Sequence, residues 1–359
     1  MLALTGHHRR RMPCRGALTT LAAVGAVAAV TASAPASPTS TRPELGWPYW
    51  AAGGRLIAFG ADDGGGELSL WMMRADGKQR KMLAAEYVYA SLSPSGRMVA
   101  DFPGAGNDLV LRTVAGKGVR TFRLRPGPGD ILVSAPVWSP DESSLVFEID
   151  RETATNNFDL IFLADRRTGL RLLSRVRQPA DFAPAWSPDG RRIAFVRCPN
   201  SNGDNLCKLM VMRRDGSGRT VIATRIHNLA APVWSPDGRS LAFEQQFGPA
   251  EYTPEDLLKV RHGIYVLRLG GSVPRRVAAT RMTVIGFSRP AWSPDSRRLA
   301  FTDARGISVL DLRGGGPRRI TSKGGGSTVS WARARGIVFA HAGAIYRVTP
   351  GRLPVRVAR

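Results

Sequence analysis

Short runs in which nearly every position is apolar recur along this chain, each opened by a polar corner. Ile193-Ala-Phe195, Leu241-Ala-Phe243 and Leu299-Ala-Phe301 all follow a Ser-Pro-Asp turn. A strand covered on one face alternates apolar and polar residues. A continuous apolar run of this length predicts a strand buried on both faces. After a variable loop comes a second β-rich run, such as Leu68–Met73, Asp159–Leu163, Lys208–Met212, Gly263–Leu267, Gly306–Leu310 or Ala344–Val348. A turn such as Arg74-Ala-Asp-Gly77 or Arg214-Asp-Gly-Ser217 leads into a basic closing run, for example Arg219–Ile222 or Pro317–Ile320. With the run that enters each corner, the pattern predicts four short strands per unit and an all-β chain.

The corner belongs to a longer repeated phrase. Trp186-Ser-Pro-Asp-Gly-Arg-Arg-Ile-Ala-Phe195 recurs from Trp234 to Phe243 and from Trp292 to Phe301. Weaker copies begin at Trp50, Leu92, Trp138 and Trp331, so six of the eight tryptophans head the phrase. Successive starts lie 42, 46, 48, 48, 58 and 39 residues apart. Self-similarity at about 40–50 residues marks a repeat architecture, and four-stranded units of this length are the size of propeller blades. Proline presets the first turn dihedral, aspartate tolerates the second, and glycine closes the loop in the left-handed region. The repeated Trp50, Trp138, Trp186, Trp234, Trp292 and Trp331, with Asp141, Asp189, Asp237 and Asp295, are therefore read as structural. A residue repeated from unit to unit cannot be a unique catalytic group.

The phrase W-S-P-D-G-x-x-[IL]-A-F, followed by an Ile-Tyr-Val strand and an Asp-Gly turn, resembles the TolB-type, WD40-like propeller repeat over about residues 47–359. The resemblance implies a single β-propeller of four-stranded blades. Seven complete units give seven blades; six would follow if the degenerate first unit packed differently. The seventh unit ends on its own outer run, Val355-Arg-Val357, so the ring is expected to close by packing, without a shared strand. The separate amino-terminal α/β domain of TolB has no counterpart in the repeats. Related repeats precede hydrolase domains in prolyl-peptidase-like enzymes, whereas residues 47–359 here are taken up by repeats.

The amino terminus changes the picture. Arg9, Arg10, Arg11 and Arg15 precede a 14-residue small-apolar run, Ala17–Val30, and Ala34-Pro-Ala36 offers a small-residue cleavage site. Residues 1–36 are read as a secretory signal, 37–46 as a Pro/Ser/Thr-rich linker and 47–359 as the propeller. The rival reading is an uncleaved anchor holding a receptor ectodomain, although the run is shorter than the ~20 residues that span a bilayer. Export places Cys198 and Cys207 in an oxidising compartment, on adjacent runs of the fourth unit, and predicts a disulfide between them. The formal charge is +23, and removing the four arginines of the signal leaves +19. Only six of the 51 basic residues are lysine. So basic a surface attracts anionic polymers. The expected partner is an envelope protein or anionic polymer, with weak anionic-membrane contact allowed and no specific nucleic acid.

No catalytic set stands out. The chain holds no Gly-x-Ser-x-Gly elbow and no His-Glu-x-x-His, and no cofactor is expected. Beyond the signal, three histidines remain: His227, His262 and His341. Their spacing carries no metal signature. Propeller lyases acting on pectic sugars resemble these repeats and use histidine-bound metal, which keeps a metal-dependent polysaccharide lyase or hydrolase as the enzymatic alternative. Ligand contact is expected on the face where the loops into the inner and third strands open. Its candidates are Phe247 and Tyr252 on the long 245–262 insert, the three histidines, and Arg289, Asp181, Tyr87 and Asp130 on approaches to inner strands.

Overall fold

In the computed structural model the described residues are 44–62, 68–85, 90–103, 108–124, 130–132, 134–152, 157–174, 180–199, 207–226, 231–247, 261–280, 289–303, 305–323 and 328–359. They form seven antiparallel sheets, each built from consecutive strands. Blade 1 runs from Glu44–Ala51 to Lys81–Ala84, and blade 2 from Ala90–Leu92 to Gly118–Arg123. Blade 3 has an interrupted inner strand, Asp130–Leu132 then Val137–Trp138, and ends at Gly169–Leu172. Blade 4 runs from Ala180–Trp186 to Thr220–Ile226, blade 5 from Val233–Trp234 to Arg275–Thr280, and blade 6 from Ala291–Trp292 to Arg318–Thr321. Blade 7 spans Val329–Ala332 to Val355–Ala358. The seven-bladed, all-β expectation holds.

The continuous apolar runs are second strands buried on both faces. Ile193 to Val196 are all buried, and Phe59, Phe147, Phe195, Phe243, Phe301 and Phe339 are almost wholly enclosed. Their partners come from two blades at once. Val146, Ile161, Leu163 and Leu173 of blade 3 pack against Trp186, Ile193, Phe195, Met210 and Met212 of blade 4. The core is thus a set of inter-blade layers, and no blade buries its apolar faces alone.

The corners behave as the turn chemistry dictates. Gly190 N–H donates to Ser187 O (2.9 Å), with Gly190 left-handed at φ 67°. Ser187 Oγ donates to Asp189 Oδ1 (2.5 Å), and Asp189 Oδ1 accepts Arg191 N–H (3.0 Å). The same Ser–Asp latch is made by Ser139–Asp141, Ser235–Asp237 and Ser293–Asp295. The serine hydroxyl holds the Asp189 and Asp295 carboxyls below the usual carboxylate range. These residues are committed to the turn. Two blades replace the glycine with a left-handed Glu142 or Ser296, and each replacement reaches the neighbouring blade. Ser95 Oγ donates to Glu142 Oε2 (3.0 Å), and Asp237 N–H donates to Ser296 Oγ (3.0 Å).

Each tryptophan locks one blade to the one before it. The indole N–H of Trp186 donates to Val137 O, that of Trp234 to Ala185 O, and that of Trp292 to Val233 O, all at 3.0 Å. In each case the acceptor is the residue just before the preceding blade's tryptophan. Arginines lie over the other surface of several rings: Arg192 over Trp234 (4.9 Å), Arg298 over Trp331 (5.2 Å) and Arg214 over Trp186 (5.7 Å). The ring closes by a related contact whose carbonyl acceptor lies instead on the second strand of the last blade. Trp50 Nε1 donates to Gly336 O (3.0 Å), and Trp50 N–H donates to Ser330 Oγ (3.1 Å). Leu45, Ile57, Phe59 and Met73 of blade 1 pack with Val338, Ile345 and Ala358 of blade 7. No strand is shared across the seam.

Candidate functional site: the central channel

Inner strands have one hydrogen-bonding edge in their sheet and the other on the axis. Proline, which has no N–H to leave unpaired, suits such an edge. It stands two residues before the tryptophan in five blades: Pro48, Pro136, Pro184, Pro232 and Pro290. The resulting channel encloses about 520 Å³ and is walled by inner strands of blades 1, 2, 3, 5, 6 and 7. Its lining is tryptophan, proline, alanine and valine with a few hydroxyls. Trp138, Trp234 and Trp292 are nearly buried, whereas Trp47, Trp50 and Trp331 keep more of their surface open. Trp47 sits at a β-bulge between Gly46 and Tyr49, with a left-handed φ of 47°. That conformation is costly for a bulky residue, and a bulge re-aims side chains. Residues 47–50 all line the channel.

Arg289 is the one guanidinium among the described residues of this wall. It stands three residues before Trp292, where the sequence of the other blades carries Trp47, Tyr89, Ala135, Ala183, Ala231 and Thr328. Burial lowers its pKa from the usual arginine value, with no anion opposing the shift. It forms no hydrogen bond or ion pair with any of the described residues, and part of its surface remains open to the channel. Tyr49, the other ionisable group among the described lining residues, accepts Leu92 N–H (3.0 Å), and burial pushes its hydroxyl up to about 12. Among the described residues the channel therefore presents a single positive charge in an apolar sleeve.

The remaining sequence candidates lie in several settings. Asp181 is buried in the inner strand of blade 4 and makes a bidentate pair with Arg197 (2.6 and 2.7 Å), away from the channel lining. His262 is buried inside blade 5, its Nδ1 3.1 Å from Glu244 Oε1, to which Thr280 Oγ1 also donates (3.3 Å). His341 belongs to blade 7, edge-on to Tyr346 at 6.1 Å. Phe247 and Asp130 fall within strands Ser240–Phe247 and Asp130–Leu132. His227, Tyr252 and Tyr87 lie outside the described residues, as do residues 1–43, where the signal and most of the linker are expected. Among the described residues no group of three or more His, Cys, Asp or Glu could hold a metal ion. Cys198 and Cys207 are bonded across the second and third strands of blade 4, with Cα atoms 4.2 Å apart.

One charged cluster escaped the sequence reading. Asp150 and Asp159 face each other across the second and third strands of blade 3. Glu148, fully buried on the same strand as Asp150, accepts Ala183 N–H of blade 4 (3.0 Å). Burial first, and then the neighbouring carboxylates Asp150 and Asp181, raise Asp159 to about 7; burial and Asp159 drive Glu148 up as well. Glu148 Oε1 and Asp159 Oδ2 accept no hydrogen bond from the described residues. Sequence spacing could not show that two strands of one blade and the inner strand of the next would converge here.

Solved structures share the architecture at low identity. A Mycobacterium tuberculosis puromycin-hydrolyzing peptidase superposes with a TM-score of 0.66 at 16% identity, covering 89% of this chain and 54% of that chain. This chain thus spans about half the length of that peptidase. An oligogalacturonate lyase in complex with manganese gives 0.57 at 12% identity, covering 88% and 89% of the two chains. Kuenenia stuttgartiensis hydrazine synthase gives 0.57 at 14%, covering 91% and 99%. At such identities the likeness is one of fold. No curated protein matches in sequence. The family profile described as the TolB beta propeller domain matches residues 173–345, the stretch holding the three cleanest copies of the phrase. With seven four-stranded blades in a ring, the chain is a seven-bladed β-propeller, and its residues 173–345 match the TolB beta propeller domain.

Proposed function

We propose that this propeller is an exported, non-catalytic binding module that engages a protein or anionic polymer of the cell envelope through its central channel. The observation that carries the reading is the channel itself: about 520 Å³ of apolar, aromatic-walled space with one unpaired cation. Ligand sites of this size and character, mostly apolar with few polar groups, are the usual form of binding pockets. Export is supported by the signal-like segment 1–36 and by the Cys198–Cys207 bond, which persists in oxidising compartments. A non-catalytic role is supported by the commitment of the repeated Ser and Asp residues to turns and of His262 to Glu244.

The test is retention of a component from an envelope extract by the wild-type protein and by two variants. Val137→Trp narrows the channel wall; deletion of residues 248–261 removes the long insert. The expected result is one component held by wild type and released by Val137→Trp, with no chemical change in it. Turnover of an envelope polysaccharide by purified protein would replace this reading with the lyase alternative. Retention unaffected by Val137→Trp would move the site away from the channel.

A further inference from the structure

We infer that the channel is a selective site for a singly charged carboxylate carried on an aromatic or flat apolar body, with Arg289 as its anion anchor. The inference rests on the channel being the binding site and names what it takes.

An isolated charge in a low-dielectric setting is costly unless it is paired. Arg289 has no pairing acid among the described residues, whose channel lining contains no Asp or Glu. Its neighbours in the fold do better. Arg197 is paired with Asp181, Arg112 with Asp101 and Arg214 with Asp165. Leaving one guanidinium unmatched in a channel that six of the seven inner strands line is explained if an incoming anion completes it. The fork of a guanidinium matches the two oxygens of a carboxylate. One cation, with Tyr49 held neutral by burial, balances one negative charge; a doubly charged phosphate would bring an uncompensated one into the same sleeve.

The body of the ligand is set by the other side of the channel. The tryptophans that keep open surface, Trp47, Trp50 and Trp331, belong to blades 1 and 7, next to blade 6, which carries Arg289. Trp47 is held there at a backbone cost by the bulge between Gly46 and Tyr49. Strained backbone of this kind persists where the surroundings impose it, often at a site of use. Aromatic surface beside a lone cation selects a flat apolar group that ends in an anion.

The experiment is calorimetric titration of the purified full-length protein with 3-phenylpropionate and with its neutral amide. The acid should bind at least tenfold more tightly than the amide. Arg289→Met should bring the two within about twofold of each other. The same substitution should raise the melting temperature of the ligand-free protein, because it removes an unmatched buried charge. Trp47→Ala should weaken both ligands while keeping their ratio. Equal affinity for acid and amide in the wild type, or an unchanged ratio in Arg289→Met, overturns the inference. If neither probe binds while Val137→Trp still abolishes retention of the envelope component, the ligand class is wrong and the channel reading stands. If both fail, both are wrong.

Discussion

At the scale of single residues, the chain spends its arginines on tryptophans. Arg192 lies over the indole of Trp234 and donates to Gly238 O (3.3 Å), so one side chain covers the next blade's ring and ties down its turn. The adjacent Arg191 is exposed. Arg192→Ala is expected to cost about 1–2 kcal/mol in chemical denaturation, through a lost cation–π contact and hydrogen bond. Arg191→Ala should change stability by less than about 0.5 kcal/mol. The sequence marked both as members of one basic surface. Nothing in their spacing separates them, since Arg192 meets a ring 42 positions away in another blade. Turn residues were more legible, because the hydrogen bonds that shape the turn run among Ser187, Asp189, Gly190 and the residues just after them.

At the scale of strands and blades, the joint between blades 3 and 4 is the part that should respond to pH. Asp159 retains its proton to about 7 in the folded protein, against about 3.9 in an unfolded chain. Between those values the folded state binds more protons than the unfolded one, so stability is greatest below about pH 4 and falls as pH rises through 7. Glu148 shifts in the same direction, with Asp150, Asp181 and Arg197 facing the pair. Thermal melts should show a falling melting temperature from pH 4 to 8. Asp159→Asn should flatten that slope and leave the protein more stable than wild type at pH 8. A slope unchanged in the variant would place the titrating group elsewhere. Here only strand positions were legible in the chain. Glu148 and Glu244 each follow the buried phenylalanine of a second strand, yet one meets acids and the other meets His262 and Thr280.

For the molecule as a whole, the joint between the first and last blades decides whether the ring stays shut. A Cβ on Gly77, left-handed at φ 82°, would lie 2.1 Å from Val357 O on the outer strand of blade 7. Gly116 occupies the corresponding turn of blade 2, at φ 93°, with open space around it. Both Gly→Ala changes incur the left-handed penalty of about 1–2 kcal/mol. Only Gly77→Ala also pushes the terminal strand off blade 1. Its loss in chemical denaturation should exceed that of Gly116→Ala by at least 1 kcal/mol. Equal losses would mean that the seam contributes little. The number of blades and the manner of closure were readable from the chain, because the seven copies of the phrase, six headed by Trp and one by Leu92, give the count and the outer run Val355-Arg-Val357 suits closure by packing. The channel's character was less so: Arg289 was visible as an approach to an inner strand, but its isolation depends on what five other blades place beside it.

Every blade is one uninterrupted length of chain, and the seam uses an indole-to-carbonyl bond, as the interior joints do. The order in which the wedges are synthesised is therefore arbitrary as far as the finished wheel is concerned. A linker like the one between blades 4 and 5, joining residue 359 to residue 44, would let new ends be opened at any such crossing, and the rearranged chain should fold into the same wheel.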